Sequence, residues 1–362
     1  MTAAASTPPG VSTIALIAGD GIGPEIVAAA VDVLDAVAAR SGFALTYLDI
    51  DAGADTYRRT GAALSPEGLK LLRTGADAVL KGPVGLPEVR DRDGAEAGVL
   101  GGIMRTGLDT YANIRRIALL PGIRSSLRDP GPIDYVIVRE NTEGLYASRG
   151  RGVGNGWAVS DTMIITREGT RRVVRRAFEL AMSRAGAPSD GTRRVTCVDK
   201  SNVLRSFALF REVFAEVAAD YPDVEADCLY SDAAAQALVL RPGDFDVLVM
   251  ENFLGDLLSD LGGATVGGVG MCPSGNIGDH AAYFEPIHGS APQIAGQGIA
   301  NPIGQILTAA MMLEHIGRAE AAAAVDAAVR AALGAGAIQI RPDGSAAGGP
   351  AAVARAVIDA LN

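Results

Sequence analysis

Apolar positions along this 362-residue chain fall into two alternating rhythms. Residues 12–18 form an apolar run of strand length. Ile26, Val27, Ala30, Val31 and Leu34 then recur at helical spacing until Gly42. Pro24 suits the first turn of that helix, where its missing N–H costs nothing. Residues 43–50 alternate as a strand, Ser65-Pro66-Glu67 opens another helix, and 76–80 reads as a buried strand. This succession of strands and helices predicts an α/β fold.

The middle of the chain changes character. Residues 133–138 and 195–198 are strand-like, and 170–185 is a helix with many exposed arginines. Residues 147–165 carry Gly and Arg ahead of β-branched positions, which predicts an extended hairpin or arm rather than core. Residues 245–250 form a buried strand leading into the run Glu251-Asn252-Phe253-Leu254-Gly255-Asp256-Leu257-Leu258-Ser259-Asp260. Ala-rich helices follow over 304–317 and 319–333.

Composition narrows the function classes. With 48% hydrophobic and 20% charged residues, the chain matches a soluble globular enzyme, and its length suffices for two domains. A formal charge of -10 argues against nucleic acid or anionic membrane as partner. Cys197, Cys228 and Cys272 are far apart and form no C-x-x-C, so neither a zinc site nor a disulfide framework is expected. A reducing, cytoplasmic compartment fits. Three histidines are too few for a histidine-rich metal centre. Residues 1–10 lack the basic and apolar segments of a targeting signal and read as a short disordered tail. No apolar run reaches membrane-spanning length.

Several motifs carry chemistry. Asp256 and Asp260 are four apart and share a helix face. Alone, such a pair is most simply a solvated acidic edge; held together in an apolar run, it calls for a hard divalent cation. Gly19-Asp20-Gly21-Ile22-Gly23 lacks the third glycine of a dinucleotide fingerprint, and no acidic residue follows at the required distance. It reads as a structural turn lining a cleft. Arg105, Arg115 and Arg139 lie in apolar or small-residue surroundings. Each alone could be paired internally, with Asp109 or Glu140, but three together suggest a substrate with several carboxylates. Lys200, ending a buried strand, can be desolvated into a proton-transfer group, although a snorkelling surface lysine is commoner. Tyr146, beside a Gly-containing turn, would by itself be taken for packing. His288-Gly289-Ser290-Ala291-Pro292 is a loop whose backbone could closely approach a flat or phosphorylated ligand.

Together these segments resemble the β-decarboxylating dehydrogenases acting on 3-substituted malates, the isocitrate/isopropylmalate dehydrogenase family. The similarity runs from about Thr13 to the C-terminus and rests on Gly19 to Glu25, Tyr111-Ala112-Asn113-Ile114-Arg115, Val138-Arg139-Glu140-Asn141-Thr142-Glu143-Gly144, Asp199-Lys200-Ser201-Asn202, Asn252 to Asp260, Glu285 to Pro292, and Asn301-Pro302. The resemblance implies a two-domain α/β fold that is not a Rossmann fold, with residues 1–108 and 261–362 in one domain and 109–260 in the other. It implies that Arg105, Arg115 and Arg139 clamp the substrate's carboxylates, and that Asp232, Asp256 and Asp260 hold Mg²⁺ or Mn²⁺. Lys200 would remove the hydroxyl proton and Tyr146 would protonate C3. Glu285, His288, Gly289, Ser290, Ala291, Gln293 and Asn301 would hold NAD. Lys200 and Asp232 would reach into the partner subunit's site, and the 147–165 arm would clasp that partner in a homodimer.

Departures from the family pattern concern substrate and cofactor. Gly98, Val99, Gly101 and Gly102 precede Arg105 where relatives carry residues for an isopropyl group or a γ-carboxylate. Their absence predicts a different 3-substituent or a D-malate/tartrate-like substrate. Position 116 is Arg where the family usually has Pro, and Gln293 replaces the acidic residue of NAD-using members, which leaves NADP open.

Overall fold

A computed structural model describes residues 10–92 and 94–361. The tail expected over 1–10 lies, except for Gly10, outside the described residues. In chain order the elements are β1 (Val11–Ile17), α1 (Gly23–Ser41), β2 (Ala44–Asp49), α2 (Ala54–Thr60), α3 (Pro66–Thr74), β3 (Ala78–Lys81), α4 (Gly101–Gly107), β4 (Ala112–Ala118) and β5 (Asp134–Glu140). Then follow β6 (Val153–Gly154), β7 (Val159–Ser160), α5 (Arg167–Ser183), β8 (Arg194–Asp199), α6 (Arg205–Ala218), β9 (Glu225–Tyr230), α7 (Ser231–Leu240), β10 (Val247–Met250) and α8 (Asn252–Thr265). The chain closes with β11 (Ser274–Ile277), β12 (Ala282–Phe284), α9 (Ile303–His315), α10 (Ala319–Gly334) and α11 (Gly349–Ala360).

Ten strands form one sheet in the order β2-β1-β3-β12-β11-β4-β5-β10-β8-β9. The five strands on one side come from the two chain ends, and the five on the other from the central segment. Each half is parallel except for its innermost strand; those two, β11 and β4, pair antiparallel at the middle. Among the described residues no Rossmann strand order is present.

The strands are apolar on both faces because helices cover both. Val136, Val138, Val247 and Val249 point into the cluster shared with α1, α5, α6 and α9–α11. Tyr135, Ile137, Leu248 and Met250 point the other way, beneath α7 and α8. Ala15, Ile17, Val79 and Tyr283 form a third cluster with Leu72, Leu100 and Met104 of α3 and the α4 segment. The 147–165 segment opens with a 3-10 turn (Leu145–Ser148) and continues into the two-stranded hairpin β6/β7, whose tip residue Trp157 is 98% exposed.

Candidate active site

The α8 helix begins where Glu251 caps it, its carboxylate accepting from the Leu254 backbone N–H at 3.2 Å. The same carboxylate accepts from Leu145 N–H at 3.1 Å, and the Asn252 amide donates to the Glu143 carbonyl at 3.1 Å. These bonds fasten the turn bearing Tyr146 onto the first turn of α8. Gly144 is required there: its φ is +74°, and a Cβ would lie 2.0 Å from the Glu251 carboxylate. The Tyr146 hydroxyl consequently donates to Asp256 Oδ2 at 2.8 Å.

Arg139, only 1% exposed at the end of β5, donates to Asn252 Oδ1 at 2.8 and 3.1 Å and to Asp256 Oδ1 at 2.5 Å. Burial, reinforced by the charges of Arg115 and Arg105, lowers its pKa to about 9. Arg115 on β4 donates to Asn113 Oδ1 and Ser259 Oγ, both at 2.6 Å, and lies 3.3 Å from Asp256 and 3.7 Å from Asp260. Neither Asp109 nor Glu140 partners these arginines: Asp109 pairs with Arg172, and Glu140 accepts from the Thr142 and Glu143 backbone. Arg105 on α4 leaves its buried Nε without a partner among the described residues. Burial opposes ionisation of Asp256, but Arg139 and Arg115 outweigh it and hold the carboxyl below its usual range. Burial pushes Asp260 up against the pull of Arg115, and the Asp256 charge adds to that rise.

A buried amide chain lies beneath the arginines. Asn113 and Asn141 both donate to Asn276 Oδ1, at 3.0 and 2.9 Å, and Asn276 reaches Glu285 Oε1 at 3.4 Å. Glu285 pairs with the buried Lys81 at 2.5 Å. Burial again opposes the carboxylate, and Lys81 prevails, lowering the Glu285 pKa. Arg115 and the start of the 285–292 loop are thus joined through β4 and β11. Sequence reasoning missed Lys81, Asn113 and Asn276; an uninterrupted apolar strand ending in lysine was the available signal.

These groups surround a cavity of about 690 Å³, the size of a small-molecule site. Arg105, Arg115, Arg139, Tyr146, Asp256, Glu285, His288 and Gly289 line it, with Val84, Val99, Gly101 and Gly102 on one side. Burial lowers the pKa of His288 and keeps its ring neutral, and its Nε2 has no partner among the described residues. Gly98 does not open space: its φ is +82° and its backbone abuts Ala54, 2.3 Å from where a Cβ would stand. Gly102 faces nothing within 4 Å.

Further along the loop, Ser290 Oγ donates to the Gly85 carbonyl at 2.5 Å and its own carbonyl accepts from Ile22 N–H at 2.8 Å. The Asp20 carboxylate accepts from the backbone N–H groups of Ala54, Asp55 and Gly85. The glycine turn is therefore structural, as its spacing predicts. Ala291 takes φ +40° and Gln293 is exposed, both beyond the cavity lining. The side chain of the buried Asn301 accepts from the N–H of Ile303, the first residue of α9, at 3.0 Å and turns its amide to Met271.

One chain does not assemble the three aspartates expected to hold a metal. Among the described residues no group of three acidic, His or Cys side chains is placed to bind one. Asp232, on the first turn of α7, is ion-paired with Lys200, and neither lines the cavity. Asp256, with no basic neighbour in sequence, meets two arginines in space because β4 and β5 run beneath α8. Asp256 and Asp260 still offer only oxygen, the donor type a hard cation takes.

A family model described as Isocitrate/isopropylmalate dehydrogenase matches residues 13–342. The chain is 44% identical over 325 residues to a 3-isopropylmalate dehydrogenase of Corynebacterium glutamicum, covering 88% of this chain and 92% of that protein. It is 42% identical over 324 residues to a 3-isopropylmalate/3-methylmalate dehydrogenase of Methanocaldococcus jannaschii, covering 89% and 91%. Among solved structures, an isocitrate dehydrogenase from Methylococcus capsulatus superposes with TM-score 0.86 at 36% identity, covering 97% of this chain and 99% of that one. A beta-decarboxylating dehydrogenase from Thermococcus kodakarensis superposes with TM-score 0.79 at 37% identity, covering 97% and 96%.

Proposed function

Because the chain belongs to the isocitrate/isopropylmalate dehydrogenase family, we propose that this dehydrogenase oxidatively decarboxylates a 3-substituted (2R)-malate, passing hydride to NAD and releasing CO₂ and a 2-oxo acid. The observation that carries this reading is the cluster of Arg105, Arg115 and Arg139 in one cavity with Tyr146 and Asp256. The arginines bind the substrate's carboxylates, which match guanidinium groups through paired N–H···O bonds. Lys200 takes the proton of the C2 hydroxyl as hydride leaves that carbon. After CO₂ departs, the Tyr146 hydroxyl delivers a proton to C3. Asp256 and Asp260, with Asp232 of a second copy, would hold Mg²⁺ or Mn²⁺, which would supply Lewis-acid polarisation of the substrate's oxygen atoms. The loop from Glu285 to Gln293, with Asn301, holds the cofactor; Gln293 accepts ribose hydroxyls without repelling a 2′-phosphate, so NADP is a weaker alternative. The catalytic unit is a cytoplasmic homodimer clasped by the β6/β7 hairpin, and the two halves of the sheet are its two domains.

The open side of the cavity at Gly101 and Gly102 favours a 3-substituent larger than isopropyl. The names of the relatives favour 3-isopropylmalate itself as the second reading. Initial rates of NADH formation on a panel of 3-substituted malates, with D-malate and isocitrate included, separate the two. The proposal expects the highest kcat/KM on a bulkier 3-substituted malate, and loss of turnover after exhaustive chelation. A maximum on 3-isopropylmalate establishes the second reading, and full activity without a divalent cation overturns the metal assignment.

A further inference from the structure

The fold brings together two cysteines that are distant in sequence. Cys197 on β8 and Cys228 on β9 are register partners on adjacent parallel strands. Such partners project to the same face. Neighbouring strands stand about 4.8 Å apart, inside the Cα separation of roughly 4.4–6.8 Å that a disulfide spans. Cys197 is buried in the cluster that includes Phe210 and Phe214 of α6, whereas Cys228 is half-buried on the edge strand. The neighbouring Cys197 thiol and the nearby Arg211 guanidinium hold the Cys228 thiol below its usual range despite partial burial. A half-buried thiol on an edge strand, backed by a second thiol on the adjacent strand, is the arrangement of a peroxide-sensitive pair.

We propose that Cys197 and Cys228 form a reversible disulfide when the protein meets a hydroperoxide, and that this bond lowers turnover. The Cys228 thiolate attacks the peroxide O–O bond, becoming a sulfenic acid as the peroxide is reduced to hydroxide or alkoxide, which takes up a proton. Cys197 sulfur then attacks the sulfenic sulfur, the S–S bond forms, and the sulfenic oxygen leaves as water with the Cys197 proton. Because Cys228 is half-buried on the edge strand, the bridge is accessible to a dithiol, which reduces it.

The link to turnover is short. Cys197 Sγ donates to Asp199 Oδ2 at 3.7 Å. Asp199 also accepts from Arg211 at 2.6 and 3.0 Å and from the Ser201 backbone N–H at 2.8 Å, holding the turn that carries Lys200. Strand β9 runs directly into the helix turn bearing Asp232. Oxidation removes the S–H donor and ties together the two strands that position Lys200 and Asp232.

The test treats the full-length protein with hydrogen peroxide and reads thiols, peptides and rate. Thiols titrated in denaturant fall from three to one, a tryptic digest joins the Cys197 and Cys228 peptides, and kcat falls several-fold and returns with dithiothreitol. Cys228→Ser keeps its rate through the same treatment. Cys197→Ala halts at a Cys228 sulfenic acid that dimedone traps, a readout that stands even if Cys228→Ser folds poorly. Retention of all three thiols, oxidation at Cys272 instead, or a bond formed without change in kcat overturns the proposal. The thiol and peptide readouts do not depend on which malate is the substrate.

Discussion

Asp256 is shared by three partners at once: Arg139, Arg115 and the Tyr146 hydroxyl. Its carboxylate neutralises guanidinium groups that would otherwise face one another across the cavity. A bound substrate carboxylate can take over those arginines and release Asp256 to a cation. Burial and the Asp256 charge both raise the Tyr146 pKa, so its hydroxyl stays protonated at neutral pH and remains a donor. Tyr146→Phe is therefore expected to lower kcat by roughly 10²–10⁴-fold, the usual cost of losing a proton-transfer group, with the fold intact by circular dichroism. An unchanged rate on the best substrate removes Tyr146 from the mechanism. A second residue-scale prediction concerns Lys81. Lys81→Met leaves Glu285 without its ion-pair partner, a change that costs about 3–5 kcal/mol at buried sites. Because the folded-state pKa of Glu285 is lowered, the stabilisation is present above the ordinary carboxylate range and fades as pH falls through the folded value. The Tm difference between wild type and Lys81→Met should accordingly be largest near neutral pH and shrink in acid. A pH-independent difference would assign the effect to packing alone.

At the scale of elements, α4 lines one side of the cavity. It presents Gly101 and Gly102 where a side chain would fill space, and a Cβ at Gly102 meets nothing within 4 Å. Gly102→Leu is expected to raise the ratio of kcat/KM for 3-isopropylmalate over a bulkier analogue by roughly 10-fold, the lower end of what one added apolar contact supplies. A ratio that stays constant would place the 3-substituent elsewhere in the cavity. Elements with strong periodicity were legible in the sequence: β1, α1, β5, β8, α5, β10, α9 and α10 form within a few residues of their expected limits. The 147–165 segment is a hairpin, as its Gly and β-branched pattern predicts. The short or polar elements were not legible. The four residues of β11 carry Ser, Gly and Asn, which look like a loop until the partner amides of Asn113 and Asn141 are in place. Nor could the pattern show that Gly98 is a close backbone approach while Gly102 is open, or that Cys197 and Cys228 are neighbours, because register between β8 and β9 is set by the whole sheet. The spacing also could not show that the Asn301 side chain accepts from Ile303 N–H at the start of α9, a local backbone role.

At the scale of the whole molecule, the groups proposed for the chemistry stand apart within one chain. Arg105, Arg115, Arg139, Tyr146 and Asp256 line one cavity, whereas Lys200 and Asp232 stand outside it and neutralise each other. The exposed Tyr230 and Leu240 flank α7, and Trp157, Val153 and Val159 are exposed on the hairpin, so the segments bearing the stranded pair and the arm both present apolar surface. A two-fold pairing would place one copy's Lys200 and Asp232 against the other's cavity, twice over. This makes a sharp expectation for mixed assemblies. Lys200→Ala and Tyr146→Phe homodimers should each be nearly inactive, since every site lacks one proton-transfer group. After subunit exchange, a heterodimer holds one site with both substitutions and one with neither. Random pairing makes about half of the dimers mixed. Recovered activity should therefore approach about a quarter of wild type per site, provided the sites turn over independently. The check is to co-refold differently tagged variants, isolate the doubly tagged dimer and measure its rate on the best malate of the panel. The doubly tagged species should reach about half of the wild-type rate, and it should do so only when the substitutions lie on different chains. If it is as inactive as its parents, Lys200 acts within its own subunit and a movement of β8 must bring it to the cavity.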